Sequence, residues 1–342
     1  MQILALIIYH FLFFNRFYTN PYLMCTSEVA STFFPHWVWM GRQLRHGIFP
    51  AQDDIFYKLP GSIPFLSTFY PPSLICSWIG SFFSLDIAFK IYSYLIIIHY
   101  MICSICAYFL SNSLFFAITL TYSAYMIKPY TPCFVFSFAW VPLAMMGNPI
   151  GWSMALLGGY YPILVYVAPL ILLLQPWAFL AGSFLATPQL ITLKGYFDRS
   201  VRKGMKWDKN FGRVPFKKLA DLFIPNRSYE ITNGVHYPKV AMYMGIAPLF
   251  IFHASWWWIP LILALLVSLG IIPQLQRIPA RAIYLIVLCC TMLSLQSRVI
   301  ENSSGIFLSL LQALLLLINS QIYPSFPFFQ WWNRPSKLYT QR

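Results

Sequence analysis

The feature that most constrains this sequence is a long apolar stretch without acidic residues. From Ile87 to Leu193 the charged residues are Lys90 and Lys128 alone. Over all 342 residues, 59% are hydrophobic and 9% are charged, whereas an ordinary soluble domain has roughly 25% charged residues. These values exclude a water-soluble globular fold and predict a multi-pass protein of the cell membrane.

The positive charge is concentrated in one segment. The chain has 23 Lys and Arg against 9 Asp and Glu, a net charge of +14. Half of this excess lies in Lys194–Lys239, which we interpret as a basic loop. With so few charges overall, the excess does not indicate a nucleic-acid-binding surface. The seven cysteines lie mostly in apolar runs, so we expect small core residues rather than disulfides or a zinc site.

The apolar runs predict an all-α polytopic membrane protein of about 11 transmembrane helices, forming a single transmembrane domain over 1–342. The first span is Ile3–Phe14, six spans follow between Ile63 and Leu193, and 240–322 forms a C-terminal helix group. The four spans of that group are predicted near 240–253, 256–272, 282–295 and 306–322.

The order of spans predicts which loops share a side of the membrane. With a cytoplasmic N-terminus, odd-even counting places 15–62, 194–239 and 277–281 on the extracytoplasmic face. This opposes the positive-inside rule. Either the count or the sign is wrong, or the basic residues stay there because they bind an anion. Under either sign, the count keeps the three segments on one face.

The first loop, 15–62, contains an amphipathic pattern. Five apolar residues recur at steps of four, four, three and four, which places them on one helical face: Val29, Phe33, Trp37, Met40 and Leu44. Arg42, Arg45 and His46 cluster at the far end. The pattern is typical of a helix lying flat on a membrane, and we expect Pro35 to kink it.

Four short motifs lie in order along the chain. In the first loop, Glu28 precedes the amphipathic helix, and a Gly61-Ser-Ile-Pro64 turn and Tyr70-Pro-Pro72 follow it. The later motifs are Pro188-Gln189-Leu190 with Arg199-Ser-Val-Arg202, then Tyr243-Met-Gly245-Ile-Ala-Pro248-Leu249, and Arg277-Ile-Pro-Ala-Arg281. Together they resemble the YfhO-like bacterial membrane proteins of the GT-C superfamily of lipid-linked-sugar glycosyltransferases. Two departures are Glu28 where the family commonly has Asp, and Gln52-Asp53 where it has Trp-Asn.

The resemblance implies a membrane glycosyltransferase that moves a sugar from a polyprenyl-phosphate donor to an extracytoplasmic glycan, lipid or polymer. Such a reaction needs a carboxylate base and cations for the leaving phosphate. Glu28 is the candidate base, and its alternative role is to cap a helix. Asp53 and Asp54 are further candidates, either for contact with a sugar or for a metal site shared with Glu28. Their alternative interpretation is a solvated turn without a role in catalysis. No cofactor is implied, and a divalent metal stays open.

Arginines and loop histidines are the candidate substrate-binding residues. Arg199, Arg202, Arg277 and Arg281 could hold the phosphate, because guanidinium makes bidentate contacts to phosphate oxygens. Their alternative role is to reach towards lipid headgroups.

His36 and His46 are interpreted as loop residues that contact sugar or phosphate. His10 and His99 lie in apolar runs, where we expect buried, hydrogen-bonded side chains. The expected partners are the lipid-linked sugar, its acceptor and membrane lipids. The alternative function is a non-catalytic transporter or binding protein for lipid-linked sugars.

Overall fold

The structure is a computed structural model. It describes residues 1–24, 29, 33–50, 68–123, 132–191, 194, 216, 219, 231–232, 235–236, 243–251, 254–269, 271, 282–296 and 304–322. Within these residues the chain is all-α apart from a pair of two-residue antiparallel strands, β1 (Ile231–Thr232) and β2 (Val235–His236).

The helices follow one another with short connections. In the first part of the chain they are α1 (Gln2–Phe13), α2 (Asn15–Thr19), α3 (Phe34–Arg45), α4 (Pro71–Gly80), α5 (Leu85–Ser111) and α6 (Leu114–Tyr122). The middle part contains α7 (Pro132–Phe138), α8 (Val141–Met145), α9 (Pro149–Gly158), α10 (Tyr161–Leu174) and α11 (Pro176–Leu185). The last part contains α12 (Trp258–Ser268), α13 (Ile283–Leu295) and α14 (Ser304–Ile322).

The long helix α5 organises the bundle, since α1, α3, α4, α6, α7 and α8 all pack against it. Ser84 caps its start by accepting a hydrogen bond from the Ile87 N–H, and Asn112 ends it in the left-handed conformation. With 27 residues, α5 is the one helix in the described part of the chain that is long and apolar enough to cross a membrane. Several other helices are apolar but have only 10 to 17 residues.

Hydrogen bonds at both ends fix α1 antiparallel to α5. Near the start of α1, the Tyr108 hydroxyl donates to the Gln2 side chain. Beyond the end of α1, the Tyr94 hydroxyl donates to the Tyr18 carbonyl at 3.4 Å, and the Ser93 hydroxyl donates to the Pro21 carbonyl at 3.3 Å. The chain that follows α1 therefore lies at the same end of the bundle as the start of α5.

Helix α4 covers only half the length of α5. Its last residue, Gly80, lies beside Ala88 near the start of α5, whereas Tyr70, just before its first residue, hydrogen-bonds His99. His99 is 14 residues into α5, or about 21 Å along its axis, and the ten residues of α4 span about 15 Å. The predicted span at this place is therefore a short helix that begins about half-way along α5 and runs to the end where α5 starts.

One prediction of helix geometry is not tested, and another is wrong. Pro35 lies in the first turn of α3, which directly follows the helical residue Phe33, and the predicted kink stays a prediction because residues 30–32 lie outside the described residues. The predicted span at 240–253 is not an α-helix in its described part, 243–251, which consists of a turn and a single 3-10 helix, Ala247–Phe250. Gly245 has φ +65°, and Pro248 cannot donate to a preceding turn, so an α-helix does not pass through this segment.

The contact between α3 and α4 depends on Gly41. A Cβ at this position would collide with the carbonyl oxygen of Ser77 in α4. Gly→Ala at an open helix position stabilises by about 1 kcal/mol. At Gly41 we expect the opposite sign, a loss of about 1–3 kcal/mol from overpacking.

Thermal unfolding of the purified Gly41→Ala variant measures this loss. Gln43→Ala in the same helix is the matched control, and we expect its free energy of unfolding to change by no more than about 0.5 kcal/mol. A Gly41→Ala variant as stable as wild type would contradict the close helix contact.

Candidate functional site

Helix α3 forms one wall of the candidate site. Its buried face contains His36, Trp37, Met40 and Gly41. Of the five residues predicted to share a face, Val29, Trp37 and Met40 are fully buried, and Phe33 and Leu44 are partly buried. The shared face is therefore confirmed, but it packs on α4 and α5 and not on lipid. That the helix lies flat on a membrane stays a prediction.

A small cavity lies between α3 and the helices it packs on. The space open to the centre of a water molecule is about 10 Å³, which is room for one water. Its lining residues are Phe33, His36, Trp37, Met40, Ser73, Tyr92, Cys133 and Phe136. His36, in the predicted amphipathic helix of the first loop, is thus a buried residue of α3, 2% exposed. Its predicted contact with sugar or phosphate stays a prediction.

A chain of buried hydrogen bonds lies next to this cavity. The Phe136 ring lines the cavity and also packs against Tyr70 and His99, two members of the chain. The Trp140 indole N–H donates to the Tyr70 hydroxyl oxygen at 2.6 Å, and the Tyr70 hydroxyl also hydrogen-bonds His99 Nε2. His99 Nδ1 lies 2.6 Å from the Leu95 carbonyl oxygen. A carbonyl can only accept, so Nδ1 carries the proton and Nε2 accepts from Tyr70. The geometry therefore assigns a neutral His99 with every polar atom paired.

Two of the motifs that carry the family resemblance meet beside this chain of bonds. The buried Gln189 side chain accepts a hydrogen bond at 3.2 Å from the Phe69 N–H, immediately before Tyr70-Pro-Pro72. These residues are 120 positions apart in the sequence. The contact joins the segment after α11 to the start of α4.

A third motif is held by a polar residue of α14. The Gln312 amide accepts from the Ile246 N–H at 2.8 Å and donates to the Met244 carbonyl at 2.7 Å and to Thr119 Oγ1 at 2.9 Å. Gly245 sits against this side chain, and a Cβ there would collide with Gln312 Oε1. The Tyr-x-Gly-x-x-Pro motif is thus a turn clamped between α6 and α14.

The buried histidine of α1, His10, is also hydrogen-bonded. His10 lies 3.1 Å from the Tyr122 hydroxyl through Nδ1 and 3.1 Å from the Tyr18 hydroxyl through Nε2. Burial, with a smaller contribution from Tyr94, raises the pKa of Tyr18 above its ordinary value, so this hydroxyl remains a donor. The prediction that His10 and His99 are buried and hydrogen-bonded is confirmed.

The described cysteines also match the prediction that they are core residues. Cys103, Cys133, Cys289 and Cys290 are buried, and Cys76 and Cys106 are partly buried. All six are free thiols.

The far end of α3 carries exposed cations. Arg42 and Arg45 lie in its last turn, and His46 follows at the cap; all three side chains are exposed. The Arg45 guanidinium donates to the Ser81 carbonyl at 3.2 Å and lies 5.0 Å from the centroid of the Phe82 ring. The predicted cluster is therefore confirmed as a charged end of α3, against the turn between α4 and α5.

The described residues contain one acidic side chain, Asp86. It forms an ion pair of 2.8 Å with Lys90 across one turn of α5. The other predicted site residues lie outside the described residues, and their roles stay predictions: Glu28, Asp53, Asp54, Arg199, Arg202, Arg277 and Arg281. Among the described residues no group of three His, Cys, Asp or Glu side chains could hold a metal ion.

Comparisons of the chain with protein-family models, with curated proteins and with solved structures give no match.

Sequence reasoning missed the hydrogen bonds of Tyr70 and Trp140, because the spacing of neither residue in the sequence indicates a partner. The signal that was present is His99, a titratable residue in an apolar run that needs a partner when buried. The partner itself follows only from the α4 and α5 packing.

Tyr70→Phe should destabilise the fold, because it removes the hydroxyl shared by the Trp140 N–H and His99 Nε2. Each buried polar group left without a partner costs about 1–3 kcal/mol, so we expect a loss of about 2–4 kcal/mol in the free energy of unfolding.

Tyr22→Phe is the matched control. The Tyr22 ring stacks on Phe89, and its side chain is 43% exposed, so its free energy of unfolding should change by less than about 0.5 kcal/mol. Equal melting temperatures for the two variants would rule out the assigned bonds.

Proposed function

We propose that this protein is a polytopic membrane glycosyltransferase of the GT-C type. It transfers a sugar from a polyprenyl-phosphate donor to a glycan, lipid or polymer on the extracytoplasmic side. The observation that carries the proposal is the Gln189 contact with Phe69, since it brings together two motifs that resemble the family although they are distant in sequence.

The arrangement of helices supports a membrane location. Helix α5 has the length and hydropathy of a span. Large apolar side chains point outward from the bundle, including Leu173, Trp177 and Phe184, each more than 70% exposed. A surface of this kind is stable in lipid and unfavourable in water.

The chemistry assigns separate roles to acids and cations. Glu28 is the base that takes the proton from the acceptor hydroxyl, and Asp53 and Asp54 contact a sugar or share a metal with it. Arg277 and Arg281, with Arg199 and Arg202, stabilise the phosphate that leaves with the polyprenyl chain. The carboxylate that acts as base is expected in a loop, because the one acid in the described helices is Asp86, which is paired with Lys90.

The same observation favours a second candidate, a transporter or binding protein for lipid-linked sugars that catalyses no reaction. The purified protein incubated with labelled polyprenyl-phosphate sugar and acceptor separates the two functions. Released polyprenyl phosphate supports the transferase, and donor binding without release supports the binder.

Glu28→Gln tests the base directly. A general base contributes about 10²- to 10⁴-fold in rate, so turnover should fall by that factor while donor affinity stays nearly unchanged, since Gln keeps the size of Glu. Arg281→Ala should instead weaken donor binding about 10- to 100-fold, because it removes a charge-assisted contact to phosphate.

Two controls distinguish these roles from structural ones. A Glu28 that only caps a helix would lower stability at unchanged specific activity. If Arg281 only contacted lipid headgroups, Arg281→Lys would bind the donor as tightly as the wild-type protein does. Wild-type turnover in Glu28→Gln would remove Glu28 as the base and leave Asp53 and Asp54 to be tested.

Helix α5, together with the hydrogen bonds that hold α1 antiparallel to it, makes a specific prediction of sidedness. Thr19 and Phe83 lie near the same end of α5, and Ser111 lies at the other end. Cysteines introduced at positions 19 and 83 should therefore react with an impermeant reagent from one side of the membrane, and Ser111→Cys from the other.

A cysteine near Asn210 extends this test to the basic loop 194–239. It should label from the same side as positions 19 and 83, because the acids and cations must share one site. The wild-type protein, which has only its native cysteines, gives the background labelling. Labelling of positions 83 and 111 from the same side would show that α5 does not cross the membrane and would overturn the assigned sidedness.

A further inference from the structure

The exposed end of α3 and the turn that follows α4 form a mixed cationic and aromatic surface. Its cations are Arg42 and Arg45, with His46 beside them. Its apolar members are all between 40% and 60% exposed: Trp78, Ile79, Phe82, Phe83 and Leu85. We call this set the α3–α4 surface. It lies at the start of α5, the helix that has the length of a membrane span.

The charge of this surface has no counterion among the described residues. Asp86, the one acidic side chain among the described residues, is held by Lys90 at 2.8 Å. The end of α3 itself carries about half a negative charge from its peptide dipoles, which offsets only part of two guanidinium charges. A bound anion would complete the neutralisation.

Arg45 is held in a fixed pose that leaves most of its donors available. One N–H donates to the Ser81 carbonyl, and the guanidinium plane lies over Phe82. Guanidinium has five N–H donors in a planar fork that matches phosphate oxygens. Because backbone and ring fix this fork, a phosphate can bind it with little further loss of side-chain entropy.

We propose that the α3–α4 surface binds the phosphate headgroup of an anionic membrane phospholipid. Arg42 and Arg45 contact the phosphate, and the exposed aromatic and aliphatic side chains contact the adjoining glycerol and acyl region. The adjacent apolar side chains favour a lipid over a free anion, since they offer nothing to a hydrated ion. The proposed site uses other arginines than those proposed for the donor phosphate, and it rests only on the proposed membrane location.

Lipid binding to the full chain in detergent tests the proposal. Native mass spectrometry gives Kd for phosphatidylglycerol and for phosphatidylcholine with the same acyl chains. We expect tighter binding of the anionic lipid, and a Kd at least about tenfold weaker in the Arg42→Gln/Arg45→Gln variant, because charge-assisted contacts are lost. Arg16→Gln makes the same kind of charge change at another exposed position and should alter Kd by no more than about twofold.

Further variants and ligands keep the result decisive. Arg45→Lys retains the charge but not the planar fork, so binding should weaken about threefold or more. This variant decides the question if the double variant does not fold. Unchanged Kd in either variant, equal losses in Arg16→Gln, equal affinity for phosphatidylcholine, or displacement of the lipid by millimolar inorganic phosphate would each overturn the proposal.

The outcome is independent of the proposed enzyme activity. The binding measurement contains no sugar donor, so its result does not depend on whether the protein transfers a sugar. Conversely, absence of sugar transfer would not alter the Kd for phosphatidylglycerol.

Discussion

The structure depends on hydrogen bonds that join polar side chains from different parts of the chain in a core that is almost free of charge. A buried polar group without a partner costs about 1–3 kcal/mol, and apolar helices offer few partners within one element. Tyr70, His99 and Trp140 are partners of one another although they lie in three different segments of the chain, and each donor is matched to an acceptor. Gln312 and His10 do the same at the other contacts of the bundle. These bonds select one packing among many that would bury the same apolar area.

The same pairing explains how short helices form a stable bundle. Pro and Gly interrupt the apolar runs, and each interruption exposes backbone groups that need acceptors and donors. Ser137 accepts from the Tyr160 N–H at 2.8 Å where α9 gives way to α10. Gly158 lets this turn approach the backbone of α7, since a Cβ there would lie 2.6 Å from Ser137 N. Small residues and hydroxyls therefore replace the continuous ladder of a long helix.

The sequence predicted what depends on local periodicity and missed what depends on distant contacts. The buried face of α3 follows from the spacing of Trp37 and Met40, and its cationic end from Arg42 and Arg45. The half length of α4 does not follow from its apolar composition, because its depth is set by the bond from Tyr70 to His99. For the same reason the turn at Gly245 looked like part of a span. Its geometry comes from Gln312, 67 positions away.

The distribution of charge places the chemistry of the proposed enzyme outside the helical core. An ionised carboxylate in the apolar interior would need a partner. The one acid of the described residues, Asp86, lies instead at the exposed start of α5 beside Lys90. For the proposed enzyme we therefore expect the base in a loop, where water and the acceptor hydroxyl both reach it. The hydrogen-bonded core beneath α3 then serves to hold such loops in position, which is the usual division between a rigid scaffold and the loops that carry function.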